Sequence, residues 1–325
     1  MNRRRSLLAA ALAAAALLGS APILAADPYP SRPIRIVVPY PPGGSADLIG
    51  RMVAERMSKS IGQPVVVENK AGATGAIGSE FVARADPDGH TLLVGIADTH
   101  AINPAVVARL PYDPVKDFAP VSLMARQPFL LAVGPKVTAR TLAEFVAAAK
   151  AQPGTMTYAS NGAGGLQHLA MELFNSTAGI RTLHVPYKGA GPALADVMGG
   201  QVDAILISIQ GAGSNLGGKL RPIAIVSPAR VNAAPDVPTF AESGYPGLAV
   251  NQWYALFAPR GTPAEIVDKV NQHVKAALDA PEVGDKLRGA GTEPVGGTPD
   301  QLRAFLAGEI RQWADVARAI DLKPQ

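Results

Sequence analysis

The chain has 325 residues, of which 30 are lysine or arginine and 26 are aspartate or glutamate, giving a formal net charge of +4. It contains no cysteine, which excludes disulfides, iron–sulfur clusters and thiol catalysis. Without its first 26 residues it loses three arginines and no acidic residue, so the remaining net charge is +1. A near-neutral chain with no basic block gives no reason to expect nucleic-acid binding. About 300 residues with this hydrophobic content are enough for two domains.

Residues 1–26 have the pattern of a signal peptide. Three arginines precede an alanine-rich apolar segment from Leu7 to Leu18, and small residues follow. The apolar run is too short for a comfortable membrane span. We expect cleavage after Ala25 or Ala26 and a periplasmic mature protein. The Arg4-Arg5 pair leaves both Sec and Tat export open.

The most informative stretch runs from Ile34 to Ile49 and reads I-R-I-V-V-P-Y-P-P-G-G-S-A-D-L-I. Residues 34–38 predict a buried strand, two prolines and two glycines end it, and Ser45 is the predicted N-cap of a helix. A strand, a glycine turn and a helix N-terminus together direct backbone N–H groups at an anion. The same pattern is also typical of an ordinary strand-to-helix turn, and the stretch alone does not decide between them.

Strands and helices continue to alternate as far as about residue 108. The run Val65-Val66-Val67 predicts a second strand, and residues 91–96 predict a third. Between them lies a second glycine-rich loop, residues 69–75, in which Thr74 is the predicted N-cap. This alternation indicates a parallel sheet with right-handed crossovers.

The alternation returns after Thr141, whose capping box with Glu144 opens a helix. Residues 156–160 predict a strand, and the turn Asn161-Gly162-Ala163-Gly164-Gly165 leads from it into a helical pattern. Further strand and helix patterns follow to about residue 226. Capped helices are predicted to begin at Thr262 and at Thr298.

Two extended segments, residues 121–133 and 251–258, suit strands that cross from one domain to another. We therefore predict two lobes, with residues 27–125 and 251–325 in lobe 1 and residues 126–250 in lobe 2. Ligands of open α/β sheets lie beyond the carboxyl ends of the strands, so both glycine turns would face a shared cleft.

The motifs in this order resemble those of the tripartite tricarboxylate transporter solute-receptor family, also called Bug proteins. The resemblance covers essentially the whole mature chain and is carried by residues 29–47, 69–78, 158–172, 185–189, 200–203, 235–244 and 253–263. It implies an α/β fold of the two-lobed type-II periplasmic binding proteins, with a mostly parallel sheet in each lobe and two crossing strands. It also implies closure on a small organic acid and delivery to a membrane carrier of one large and one small subunit.

The candidate ligand-binding residues lie at the glycine turns, at the second glycine loop and near the ends of lobe-2 strands. They are Tyr40, Gly43, Gly44, Asp47, Ala73, Thr74, Ser160, Gly162, Gly164, His168, Tyr187, Lys188 and Asp203. Alternatives remain open for several of them: dipole stabilisation by Asp47, a structural role for His168, solvation of Lys188 and a structural turn for Asp203.

Enzyme functions are disfavoured. The chain has no G-x-S-x-G nucleophile elbow, and its five histidines have no metal-ligand spacing. We expect a monomeric solute receptor that needs no cofactor or metal, binds a small carboxylate between the lobes and passes it to the membrane subunits of a tripartite carrier. Two alternatives are a ligand sensor of the same fold and, less favoured, a secreted serine hydrolase using Ser160.

Overall fold

The computed structural model describes residues 29–248, 250–322 and 324, so the predicted signal peptide lies outside the described part. The strands are β1 (Ile34–Val38), β2 (Val65–Asn69), β3 (Thr91–Ile96), β4 (Phe118–Val133), β5 (Thr157–Ser160), β6 (Leu183–Pro186), β7 (Ala204–Ser208), β8 (Arg221–Ile225), β9 (Asn251–Pro259) and β10 (Glu293–Pro294). The helices are α1 (Ser45–Ile61), α2 (Ala76–Ala83), α3 (Asn103–Val106), α4 (Leu142–Ala151), α5 (Leu166–Ala178), α6 (Ala190–Met198), α7 (Ile209–Ala212), α8 (Ala264–Leu278), α9 (Pro281–Gly289) and α10 (Pro299–Ala319). Short 3-10 turns cover Ala73–Gly75 and Gly213–Asn215, and a π-helical turn covers Asp98–Ile102.

The strands hydrogen-bond in the order β2-β1-β3-β9-β4-β7-β5-β6, and β8 and β10 each pair with β4. Pairs among β1, β2 and β3, and among β5, β6 and β7, are parallel. Every pair that includes β4 or β9 is antiparallel. Strand β4 therefore joins two parallel sets: its residues 118–128 pair with β9, and its residues 129–133 pair with β7.

The direction of β4 makes the two parallel sets face each other. Strands β3 and β4 are both antiparallel to β9 and so run the same way, whereas β7 runs against β4. Tyr254 of β9 is paired with both Ile96 and Ala125, and Ser208 of β7 is paired with Phe129. The carboxyl ends of β3 and β7 therefore approach the same short stretch of β4 from opposite sides.

The predicted helix caps are partly right. Thr141 accepts a hydrogen bond from the Glu144 N–H group, and Thr298 forms a complete capping box with Gln301, as predicted. The predictions for Ser45, Thr74 and Thr262 are wrong. Helix α1 begins after Gly44, α2 begins after Gly75, and α8 begins after Pro263, none of them with a side-chain cap. The hydroxyl of Thr262 instead donates to the Pro259 carbonyl.

One apolar cluster takes buried residues from both halves of the chain. It includes Leu93 and Phe174, and the fully buried Trp253 and Trp313 lie in it. The indole N–H groups of both tryptophans donate to the Glu309 carboxylate, at 2.8 and 3.2 Å. Burial raises the pKa of Glu309, while these two donors lower it. Helix α10 is thereby fixed against β9. No helix among the described residues is long and apolar enough to span a membrane.

His100 is a buried histidine in the π-helical turn. Its ring stacks on Phe257 with the centroids 4.1 Å apart, and its Nδ1 lies 2.9 Å from the Thr99 hydroxyl. Its Nε2 has no hydrogen-bond partner among the described residues. Burial lowers the pKa of His100 from 6.5 to about 3, so the ring is neutral in the folded protein at neutral pH.

We predict that stability falls as the pH drops below about 6.5, where the unfolded chain protonates His100 and the folded chain does not. One such proton corresponds to a slope of about 1.4 kcal/mol per pH unit in the unfolding free energy. The variant His100→Phe should show a slope smaller by about that amount, measured by chemical denaturation between about pH 4 and pH 7. An unchanged slope would show that His100 does not stay neutral.

Candidate functional site

A cavity of about 290 Å³ lies where the two parallel sets face each other. Residues from the first half of the chain form one wall, the lobe-2 glycine turn forms the other, and one residue near the C-terminus completes it. The lining residues are Thr74, Asp98, Asn103, Val106, Val107, Asn161, Gly162, Ala163, Gly164, Gly165 and Leu322. Three of the predicted site residues, Thr74, Gly162 and Gly164, are among them.

The lobe-2 turn between β5 and α5 is held by its own side chains. The N–H group of Asn161 donates to Gln167 Oε1 at 2.9 Å, and that of Gly164 donates to His168 Nδ1 at 3.1 Å. Gly162 and Gly164 have φ values of +152° and +76°, which residues with a side chain rarely adopt. His168 is buried in the first turn of α5 and supports the glycine turn through this bond; a ligand contact for it stays a prediction.

Ser160 lies behind this turn and has no exposed surface. Its Oγ accepts from the Gly162 N–H group and lies 2.7 Å from Nε2 of His184, whose ring stacks on His168 with the centroids 3.9 Å apart. Burial, with the neighbouring His168, lowers the pKa of His184 to about 4. Ser160 is hydrogen-bonded to a histidine, as a serine nucleophile would be. Its hydroxyl is fully buried, however, so a substrate could not reach it.

The lobe-1 turn is held by Asp47, which is buried in the first coil of α1. Its carboxylate accepts from the Gly43 N–H group at 3.0 Å, from Asn69 Nδ2 at 2.9 Å and from Arg51. Burial alone would raise the pKa of Asp47, but the bonds from Arg51, Gly43 and Asn69 outweigh it and lower the pKa. The side chain thus positions the turn, whichever ligand the turn meets.

Beyond Gly43, the first N–H groups of α1 remain available. The N–H groups of Ser45 and Ala46 donate to no acceptor in the part of the chain that the structure describes. The Ser45 hydroxyl donates across the cleft to Gln210 Oε1 at 2.9 Å, and Gln127 Nε2 donates to the same oxygen at 3.1 Å. Gly43 and Gly44 are exposed and do not line the cavity described above.

The loop at Ala73 and Thr74 is conformationally strained. Both residues have positive φ values, +47° and +53°, which are unusual for residues with a side chain. The Thr74 carbonyl accepts from the Tyr40 hydroxyl at 3.3 Å and from Asn103 Nδ2 at 3.2 Å. Tyr40 therefore reaches the site as a support for this loop. Such strain persists only where surrounding contacts impose it, and it is frequent at ligand sites.

Asp98 lines the cavity but is not among the predicted site residues. Its Oδ1 accepts from the Leu166 N–H group, the first of α5, and its Oδ2 accepts from Gln252 Nε2, both at 3.3 Å. Of the described lining residues it alone has an ionisable side chain. Burial raises its pKa. The signal that could have found it is its position, since it follows the third parallel strand at the carboxyl edge.

The remaining candidates are less closely associated with the cavity. The Tyr187 hydroxyl donates to Asp196 at 2.6 Å, and Lys188 is exposed without an ion pair among the described residues. Asp203 accepts from the N–H group and hydroxyl of Thr157, at the amino ends of β7 and β5. The structure places it at the opposite end of the sheet from the glycine turn, as its structural alternative expected.

The fold is that of a two-lobed periplasmic binding protein. The family model described as "Tripartite tricarboxylate transporter family receptor" matches residues 49–322, so the chain belongs to this family of solute receptors. The predicted fold class and family are thereby confirmed. The members of this family are receptors and not enzymes.

Similar proteins span nearly the whole chain. Protein BugT of Bordetella pertussis (strain Tohama I) is 40% identical over 310 residues, 95% of each chain. A solved structure described as a periplasmic transporter is 44% identical, with a TM-score of 0.80 and coverage of 91% of this chain and 99% of that one. Rpa4515 of R. palustris, solved with adipate, is 35% identical, with a TM-score of 0.81 and coverage of 91% and 100%.

We predict that Asp47→Ala lowers the unfolding free energy by about 1–3 kcal/mol, because it leaves the Gly43 N–H group and Asn69 without a buried acceptor. Chemical denaturation measures this loss. The control is Asp285→Ala, which removes an exposed partner of Arg288 and should change stability by less than about 0.5 kcal/mol. Equal effects of the two substitutions would contradict a positioning role for Asp47.

Proposed function

We propose that this protein is a periplasmic receptor that binds a small carboxylate between its two lobes and delivers it to a tripartite tricarboxylate-type carrier. The observation that carries the proposal is the cavity between the strained Thr74 loop and the lobe-2 glycine turn, at the carboxyl edges of both parallel sets. Membership of the receptor family and the adipate held by the relative Rpa4515 support a carboxylate ligand.

The pairing of β4 supports the lobe boundaries that we propose. Lobe 1 would comprise residues 27–125 and 251–325, and lobe 2 would comprise residues 126–250. Strand β4 passes between them at Arg126–Pro128, and β9 begins there with Asn251 paired to Pro128. Hinge bending at these strands would close the lobes around the ligand.

Backbone N–H groups are sufficient to hold the acid. Each hydrogen bond to a charged group contributes about 1.5–3 kcal/mol, and a partly buried helix N-terminus contributes up to about 2 kcal/mol. Four or five such donors reach the ~8 kcal/mol of micromolar binding once ordering costs are included. The donors that we propose for this role are the free N–H groups of Ala163 and Gly165 in the cavity wall, together with those of Ser45 and Ala46 at the start of α1.

The decisive experiment identifies the ligand directly. Native mass spectrometry of the purified protein should reveal a co-purified carboxylate. Calorimetry with a panel of mono-, di- and amino-carboxylates, including adipate and succinate, should find at least one that binds with a micromolar Kd. A co-purified ligand without a carboxyl group, or the absence of both a bound acid and any response to the panel, would contradict the proposal.

We predict that Gly44→Val weakens binding of that acid at least about tenfold, because a side chain would shield the N–H groups at the start of α1. Folding should be nearly unaffected. Gly44 has an ordinary φ of −76°, and the nearest atom to an added Cβ is the Pro41 carbonyl oxygen at 4.0 Å. Calorimetry and thermal unfolding measure the two effects.

The matched control for this variant is Gly289→Val, at an exposed position with open space around it at the end of α9. It should leave affinity unchanged. Unchanged affinity in Gly44→Val as well would remove the lobe-1 turn from the site.

We further predict that deletion of the gene abolishes uptake of the acid identified by mass spectrometry, since the carrier would lack its receptor. Uptake of the labelled acid by intact cells measures this, and complementation with the gene should restore it. Uptake that is unchanged in the deletion strain would contradict delivery to a carrier.

A further inference from the structure

The cavity contains a negative charge that a site for simple carboxylates would not need. Of the described lining residues, Asp98 alone is ionisable, and its carboxyl group lies against the lobe-2 turn. Its Oδ1 would lie 3.7 Å from a Cβ added to Gly165, so the two walls are in close contact there. A ligand carboxylate placed beside Asp98 would meet a like charge, which raises the energy of the ionised pair.

The hydrogen bonds of Asp98 show that it acts as an acceptor. One oxygen accepts from the Leu166 N–H group and the other from the Gln252 amide nitrogen. The orientation of the Gln252 amide is fixed by its own Oε1, which accepts from the Trp253 N–H group at 3.2 Å. An ionised carboxylate has about four acceptor positions, so Asp98 keeps capacity for a donor supplied by a ligand.

The tyrosines around Asp98 respond to the same charge. Burial raises the pKa values of Tyr40 and Tyr254, and the negative charge of Asp98 raises both further. Both hydroxyls already donate within the protein, Tyr40 to Thr74 and Tyr254 to Gln127. Neither tyrosine hydroxyl donates to Asp98, so a ligand in the cavity could donate to the remaining acceptor positions of its carboxylate.

We propose that Asp98 makes this site selective for carboxylates that also carry an ammonium group, with the ammonium bound to Asp98 and the carboxylate bound to backbone N–H groups. The inference rests on the proposed function and narrows its ligand class to amino acids. A zwitterion matches a cavity that offers the free N–H groups of Ala163 and Gly165 and a carboxyl group that a nearby ammonium would keep ionised, whereas a dicarboxylate brings a negative charge toward Asp98.

The test uses pairs of acids that differ by the amino group: L-alanine with propionate, L-aspartate with succinate, and L-glutamate with glutarate. Thermal shifts and calorimetry at neutral pH compare the wild-type protein with Asp98→Asn, which keeps an acceptor for Leu166 but loses the charge. In at least one pair, the wild type should bind the amino member about 10- to 100-fold more tightly than its partner. Asp98→Asn should lose at least about tenfold of that preference.

Asp285→Asn, an equivalent substitution on an exposed helix face, should leave the preference unchanged. If Asp98→Asn does not fold, Asp98→Ser provides the same loss of charge with a smaller acceptor. Tighter or equal binding of the deaminated acids by the wild type, or a preference retained without the Asp98 charge, would overturn the inference and leave the carboxylate receptor standing. Failure of all six acids to bind also overturns it, and the co-purified ligand then decides the broader proposal separately.

Discussion

The organisation of this protein depends on the direction of one strand. Strand β4 belongs to both parallel sets, and it runs with β3 on one side and against β7 on the other. Since a parallel set presents its strand-to-helix turns at its carboxyl edge, this arrangement makes the two sets present their turns to each other. The position of the cavity is thus set by the direction of the strands.

The two turns are not equivalent, although their sequences follow the same pattern. In lobe 2 the N–H groups of Asn161, Gly162 and Gly164 are satisfied by side chains of the same segment, and that of Leu166 is satisfied by Asp98. In lobe 1 only Gly43 is satisfied in this way, by Asp47. Among the described residues, the N–H groups of Ala163, Gly165 and Gln167 in lobe 2 donate to no acceptor, and neither do those of Ser45 and Ala46 in lobe 1, so both turns keep free donors. Both turns therefore have donors for an anion, and those of Ala163 and Gly165 belong to residues that line the cavity.

The sequence was sufficient for the alternation of strands and helices, for the family and for caps formed within one turn, such as Thr141 and Thr298. These features depend on residues close together in the chain. The contacts of Asp98 with Leu166, of Ser160 with His184 and of Ser45 with Gln210 join residues that are far apart in sequence. Ser45 shows why such contacts are not predicted from local sequence. Serine favours an N-cap, but its hydroxyl here donates to Gln210, which is 165 residues away in the chain. Asp203 precedes a strand rather than following one, so the direction of the strand was already evidence against its place in the site.

The hydrogen bonds that join the two proposed lobes near the cavity are weak enough for a bound ligand to outweigh them. Ser45 with Gln210 and Asp98 with Leu166 are single hydrogen bonds, each with a net contribution of about 1–3 kcal/mol. The apolar cluster beneath them, anchored by α10 through Glu309 and the two buried tryptophans, is shared by both halves and would persist on opening. Converting a mostly open population into a mostly closed one requires about 5.5 kcal/mol of differential binding, which is below the ~8 kcal/mol of a micromolar ligand. Under the proposed hinge closure, about two thirds of that binding energy would be used to shift the population, so a ligand that binds much more weakly than micromolar would leave the protein mostly open.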